Sequence, residues 1–257
     1  MKDYNKISNN IRKDVVEMIF NSKTSHLGSS LSCIDILTVI YFRILKINPQ
    51  KPLVENRDRF ILSKGHAVAA LYATLAERGF FEKKLLKEYC ANGSKLPGHV
   101  SHGYVPGIEI STGSLGHGLS IANGIALAGK KDKKKYRVFV LLSDGECDEG
   151  STWEAILFAG HHKLNNLVAI IDYNKWQALG KTNEILNLEP FTKKWRDFGW
   201  SVKEVNGHNL QEIYNAFIKI PFEKNKPSVL IAHTIKAKGL PSLENTLESH
   251  YRPPTEQ

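Results

Sequence analysis

Two apolar, β-branched runs restrict the folds open to this chain more than any other feature. Val138-Phe139-Val140-Leu141-Leu142 leads into Ser143-Asp144-Gly145, and Leu167-Val168-Ala169-Ile170-Ile171 leads into Asp172-Tyr173-Asn174. Neither run alternates with polar residues, so each strand must be covered on both faces, as in a parallel sheet. A helix-like stretch from Ser151 to Lys163 separates them. The unit is therefore strand, helix, strand, with a short loop after each strand. Open α/β sheets bind ligands beyond the carboxyl ends of their strands, which is where Asp144 and Asn174 fall. From neighbouring loops their oxygens can reach one hard cation. Mg²⁺ suits such a place, because it takes few protein oxygens and completes an octahedron with phosphate oxygens. Gly145 leaves room for a diphosphate to approach the main chain. Taken singly, each residue is at home as an ordinary turn residue; the pair carries the reading.

The remaining pattern extends the same architecture. Ile7, Ile11, Val15 and Ile19 recur every four residues and predict an N-terminal helix. Further helices are expected over 32–45, 67–78, 82–91, 117–129 and 209–219, with strands over 59–63, 200–205 and 228–232. Residues 92–116 are rich in Gly, Ser, His and Pro, and a loop of that length in a compact domain is usually functional. The segment from Lys236 onward contains Gly239, Pro241, Pro253 and Pro254 and is expected to be mostly extended loop. No linker or repeat divides the chain. One doubly wound α/β domain, a parallel sheet with helices on both faces over residues 1–257, is the fold expected.

Composition removes several classes. The 257 residues are 42% hydrophobic and 24% charged, which is ordinary for a globular domain with a substantial core. No run approaches the ~18 apolar residues of a membrane span. Cys33, Cys90 and Cys147 are odd in number and lack a CxxC spacing, against both a disulfide framework and a zinc site; a reducing cytoplasm is expected. The net charge of +9 is concentrated most densely at Lys130-Lys131-Asp132-Lys133-Lys134-Lys135, a solvated connector between helix and strand rather than a nucleic-acid motif.

The stretch from Ser143 to Lys181 closely resembles one known module. It contains Asp144-Gly145-Glu146-Cys147-Asp148-Glu149-Gly150, Trp153-Glu154-Ala155, Ala159-Gly160-His161, Leu164-Asn165-Asn166-Leu167 and Asp172-Tyr173-Asn174-Lys175-Trp176-Gln177. This is similar to the diphosphate-binding module of transketolase, and the similarity extends from His26 to His250. The resemblance implies thiamine diphosphate as cofactor and Mg²⁺ as metal, with Ca²⁺ or Mn²⁺ able to substitute. Asp144, Asn174 and the main-chain carbonyl of Trp176 would hold the metal, and Gly145 and Glu146 would lie with the cofactor. His26 in Ser25-His26-Leu27-Gly28 and His99 in Leu96-Pro97-Gly98-His99 would face the sugar. His66 in Ser63-Lys64-Gly65-His66 would stand by the diphosphate, and His250 would reach both diphosphate and donor sugar. Gly113, Ser114, Leu115 and Gly116 would meet the aminopyrimidine end of the cofactor. This turn is not a GxGxxG dinucleotide loop, and a tight turn opening a helix explains its glycines equally well. Glu149 and Glu154 fit the first turns of a helix through its dipole; the resemblance places both in a carboxylate network across a subunit interface and by the cofactor.

Two positions depart from the family. Ser143 stands where Gly is usual, which costs roughly 1–2 kcal/mol if that position needs positive φ. Leu27 replaces a common proline. Neither change removes a ligand.

The glutamate that activates the aminopyrimidine, and the groups that grip a sugar phosphate, belong in transketolases to a second module. The resemblance is therefore to the N-terminal subunit of a split transketolase. A C-terminal subunit with the pyrimidine module would complete an α₂β₂ enzyme acting on sugar phosphates or modified sugars, without nucleic acid or membrane. Other thiamine-diphosphate enzymes share the Asp-Gly and Asn pair, among them the α component of a 2-oxoacid dehydrogenase and deoxyxylulose-phosphate synthase. A non-catalytic protein of the same fold is the third alternative.

Overall fold

Five strands, β1 (Arg59–Leu62), β2 (Val138–Ser143), β3 (Leu167–Tyr173), β4 (Ser201–Asn206) and β5 (Ser228–His233), form one parallel sheet in the order β1-β2-β3-β5-β4. This is a computed structural model, and it describes residues 3–255. The expected doubly wound α/β architecture is present. Helices are α1 (Tyr4–Ser22), α2 (Leu27–Ser32), α3 (Ile34–Val39), α4 (Val68–Arg78), α5 (Gly118–Lys131), α6 (Gly150–His161), α7 (Thr182–Ile185), α8 (Phe191–Asp197), α9 (Leu210–Phe217) and α10 (Glu248–Tyr251).

The two apolar runs are buried along their whole length because both faces of the sheet are covered. Successive side chains point to opposite sides. Phe139, Leu141, Val168, Ile170 and Leu230 join a core with α1, α3, α4 and α9. Val138, Val140, Leu142, Ala169, Ile171, Val229 and Ile231 join a second core with α5, α6 and α8. The β2–β3 register sets Leu141 beside Ile170 and Ser143 beside Asp172, so both strands deliver their loops to one edge. α1 begins where the Asp3 carboxylate accepts from the amides of Asn5 and Lys6, satisfying donors that a helix start leaves open.

Three local expectations are corrected. Residues 32–45 are not one helix: the path breaks at Cys33 (φ −99°, ψ 4°) and ends in a π-helical turn over Ile40–Ile44, where the Leu45 amide reaches back to the Ile40 carbonyl. Residues 82–91 give only a 3₁₀ turn, Lys83–Glu88, because the Cys90 amide is taken by the Leu96 carbonyl and Cys90 itself sits at φ +57°. Three short helices, α7, α8 and α10, lie in stretches without expected elements. The 92–116 segment is irregular, as its composition predicts. Among the described residues no helix is long and apolar enough to cross a membrane.

Candidate active site

Asp144 follows β2 and Asn174 follows β3, the two neighbouring strands at the centre of the sheet, and both side chains are buried. The Asp144 carboxylate accepts from its neighbour Gly145 N (3.0 Å) and from Lys175 N across the gap (2.6 Å). Burial, with Asp172 nearby, raises its pKa to about 7 despite those two bonds. The Asn174 amide donates to Asp172 Oδ2 (3.4 Å), and its Oδ1 accepts from Trp176 N (2.9 Å). Lys175 takes positive φ (67°), which folds the loop back so that Gln177 N bonds Gly180 O and Thr182 N bonds Lys175 O. The Trp176 carbonyl is left out of both bonds. The strain envisaged at Ser143 is not there: Ser143 is the last residue of β2, outside the positive-φ region, and its hydroxyl accepts from Glu146 N (3.2 Å).

Four histidines remote in sequence converge. The His26 ring lies 5.3 Å from that of His66, 5.7 Å from His99 and 5.1 Å from His250, centroid to centroid. His26 enters α2 at φ +73°, and its amide donates to the His250 carbonyl (2.8 Å). His66 stands in a 3₁₀ turn, Gly65–Ala67, directly after β1. Burial first, and neighbouring cations second, lower His26 to about 4, His250 to about 3 and His66 well below its usual value. Near neutral pH these three rings are uncharged and offer one donor and one acceptor each.

The 113–116 turn is fixed from behind. Glu146, buried, accepts at Oε1 from Ser63 Oγ (2.5 Å) and Gly116 N (2.9 Å), and burial raises its pKa. Ser151 Oγ donates to the Gly116 carbonyl. Gly113 packs its main chain on the His99 ring, where a Cβ would lie 3.1 Å from Cδ2. Ser114 is exposed and Leu115 half-buried. Glu149 caps α6 by position, against Gly116, and Glu154 lies one turn in; both are exposed, and neither joins the histidine cluster.

Three residues of this centre are absent from the sequence expectations. Lys64 and Asp172, both fully buried, form an ion pair (2.5 Å) beneath the loops. Lys236 is also fully buried, and among the described residues its Nζ has no hydrogen-bond partner. It lies 5.7 Å from the Trp176 ring, and burial lowers its pKa to about 8 while Asp144 pulls the other way. Such an ammonium is costly unless an anion meets it. A lysine between Ile235 and Ala237, following a β-branched strand, was the available signal.

Residues 4–257 match the family described as transketolase, thiamine diphosphate binding domain. The chain belongs to the transketolase family. It is 45% identical over 244 residues to one of the subunits of the apulose-4-phosphate transketolase of Phocaeicola vulgatus, covering 95% of this chain and 86% of that one. It is 44% identical over 250 residues to 6-deoxy-6-sulfo-D-fructose transketolase subunit SqwG of a Clostridium species, covering 97% and 91%. The transketolase of Leishmania mexicana superposes with a TM-score of 0.93 at 30% identity, over 98% of this chain and 39% of that one. That of Campylobacter jejuni gives 0.92 at 33%, over 98% and 41%. This transketolase chain thus spans about two-fifths of those solved chains.

The donor set of the chain fits the group its family binds. Among the described residues no three His, Cys, Asp or Glu side chains cluster as a metal cage. One carboxylate, one amide oxygen and one carbonyl match a cation that phosphate oxygens complete, and the unpartnered Lys236 ammonium matches a phosphate.

Proposed function

We propose that this chain is the N-terminal subunit of a split transketolase that moves a two-carbon ketol unit from a ketose to an aldose, active only with a partner subunit. The observation that carries the proposal is the buried Lys236 ammonium, which has no hydrogen-bond partner among the described residues and lies near Asp144, His26 and His250. Asp144, Asn174 and the Trp176 carbonyl are assigned to Mg²⁺, with Ca²⁺ or Mn²⁺ able to take its place, and Gly145 and Lys236 to the diphosphate. Gly113, Ser114, Leu115 and Gly116 are assigned to the aminopyrimidine end. Thiamine diphosphate, when bound, supplies the carbanion and electron sink.

The chain's own residues bind and move protons. His26 and the exposed His99 hold the sugar hydroxyls and pass protons at the reacting oxygen; imidazoles suit both tasks. His66 and His250 stand toward the diphosphate, and His250 also reaches the donor sugar. Asp144, Glu146 and Asp172, the buried carboxylates here, are bonded into the floor. The activating glutamate is therefore assigned to the partner, with the pyrimidine and C-terminal domains. The outer face of α5 and α6 suits that assembly, since Ile121, Leu157 and Phe158 are 40%, 56% and 40% exposed on these two helices, whose N-terminal ends adjoin the 113–116 turn. Glu149 and Glu154 border this face and would lie in the interface of an α₂β₂ enzyme. The three cysteines are unpaired, which suits a reducing cytoplasm. Relatives named for apulose-4-phosphate and 6-deoxy-6-sulfo-D-fructose support sugar phosphates or other anionic modified sugars as substrates.

The test is a coupled ketose-to-aldose assay with Mg²⁺ and thiamine diphosphate, on this chain, on its partner and on the mixture. Turnover is expected in the mixture alone. Robust turnover by this chain would sink the split-site reading, because it requires an activating glutamate within these 257 residues.

A further inference from the structure

We infer that the Lys64–Asp172 ion pair is a positioning device that sets the orientation of the Asn174 amide and locks together the four segments carrying the site. The inference rests on the assignment of Mg²⁺ and thiamine diphosphate to Asp144, Asn174 and their neighbours.

Asp172 lies at the end of β3, two residues before Asn174, and is completely buried. Its Oδ2 accepts from Lys64 Nζ (2.5 Å), from Ser32 Oγ (2.5 Å) and from the Asn174 amide nitrogen (3.4 Å). Its Oδ1 accepts from Thr234 Oγ1. Lys64 Nζ donates in addition to the Ser29 carbonyl (2.8 Å). Each donor comes from a different segment, and each segment carries a site residue. Ser29 and Ser32 lie on α2, which His26 opens. Lys64 comes two residues before His66. Thr234 comes two residues before Lys236. One carboxylate therefore sets the relative placement of His26, His66, Asn174 and Lys236.

The chemistry at Asn174 is specific. An amide carries an acceptor at one end and donors at the other, and nothing in its shape chooses between them. A carboxylate accepts only, so it draws the NH₂ end and leaves the oxygen on the side of the Trp176 amide, from which it accepts (2.9 Å). Were the amide reversed, its NH₂ would meet the Trp176 N–H and its oxygen the carboxylate, and the oxygen assigned to the cation would be turned away. Groups behind the ligands of a metal typically change affinity by about 10–100-fold when lost.

A buried ion pair is by itself weak support for stability, and well-packed apolar residues often replace one without loss. That fact separates positioning from mere scaffolding. In the double variant Lys64→Met/Asp172→Leu no charge is left unpaired, and Ser32 Oγ keeps its second acceptor, the Ser29 carbonyl at 3.1 Å. A purely structural pair predicts wild-type Mg²⁺ and cofactor affinity in this variant once it folds. The positioning role predicts a thermal midpoint within about 5 °C of wild type and affinity reduced about 10–100-fold.

The experiment uses the full chain assembled with its partner subunit. Calorimetric titration with Mg²⁺ at saturating thiamine diphosphate, and the reverse titration, give the two dissociation constants, and thermal unfolding without ligand gives the midpoint. Unchanged constants in a folded double variant overturn the inference. Should that variant not fold, Thr234→Val removes one donor to Asp172 and keeps the ion pair. It is expected to weaken Mg²⁺ binding about fivefold, and unchanged binding again overturns the inference. Absence of Mg²⁺-dependent cofactor binding in the wild type overturns the site assignment itself, and the inference with it.

Discussion

Replacing Gly65 by alanine puts a single methyl group between two segments that must meet for the site to form. Gly65 lies outside the positive-φ region, so the backbone tolerates alanine and the whole effect is steric. The added Cβ would stand 2.7 Å from the carbonyl carbon and oxygen of Thr112 and 2.8 Å from Gly113 N. Ordinary contact begins near 3.4 Å, so the main chain must give by roughly 0.7 Å, with no flexible side chain to absorb the shift. The 112–116 turn resists, because Thr112 Oγ1 bonds Leu62 O (2.6 Å), Thr112 N bonds Val100 O (3.0 Å) and Gly116 N bonds Glu146 (2.9 Å). Overpacking of this kind costs about 1–3 kcal/mol. For a domain of this size each kcal/mol lowers the thermal midpoint by roughly 2–4 °C. His66 follows Gly65 directly, and His99 rests on Gly113, so the displacement opens the histidine cluster from both sides. A misplacement approaching 1 Å costs about 10²-fold in rate. Differential scanning calorimetry and the coupled assay with the partner present measure the two effects. A Gly65→Ala enzyme with both midpoint and kcat unchanged would show that these segments do not constrain each other.

Two further outcomes are expected. His26→Ala and His99→Ala should retain Mg²⁺-dependent cofactor binding and lose about 10²–10⁴-fold in turnover; single-turnover rates within about threefold of wild type would remove both from acid–base chemistry. Burial holds the metal-free Asp144 at about 7, so below that pH the cation must displace a proton and above it need not. Mg²⁺ affinity should accordingly fall about tenfold per pH unit below 7 and level off above, and a calorimetric profile flat on the acid side would refute the assignment.

The central strands and their loops were legible because a buried parallel strand is written almost entirely in apolar residues, so the first polar groups after it mark the sheet edge. Asp144 and Asn174 stand out for that reason, and the glycines beside His66 and His99 mark turns. The lengths of the flanking helices were less legible. Residues 32–45 keep an apolar helical pattern through the break at Cys33, because burial on all sides removes the amphipathic signal that would show where one helix stops. Lys64 and Asp172 were hidden differently. Each looks like a surface charge until the fold brings it to its partner, 108 positions away in sequence. Lys236 escaped notice in a stretch read as loop, three residues beyond the end of β5 at His233.

The bond between the His26 amide and the His250 carbonyl ties the readiness of the site to the direction of protein synthesis. A ribosome releases the sheet-forming strands and the Asp144 and Asn174 loops well before residue 250. A nascent chain halted before α10 would possess the Asp144 and Asn174 loops and three of the four clustered histidines. It would still lack the ring and carbonyl that fix His26 from the opposite side. On the proposed assignment, the half of the cofactor site carried by this chain is complete only once α10 has emerged, and translation products cut short of it are left with an unfinished centre.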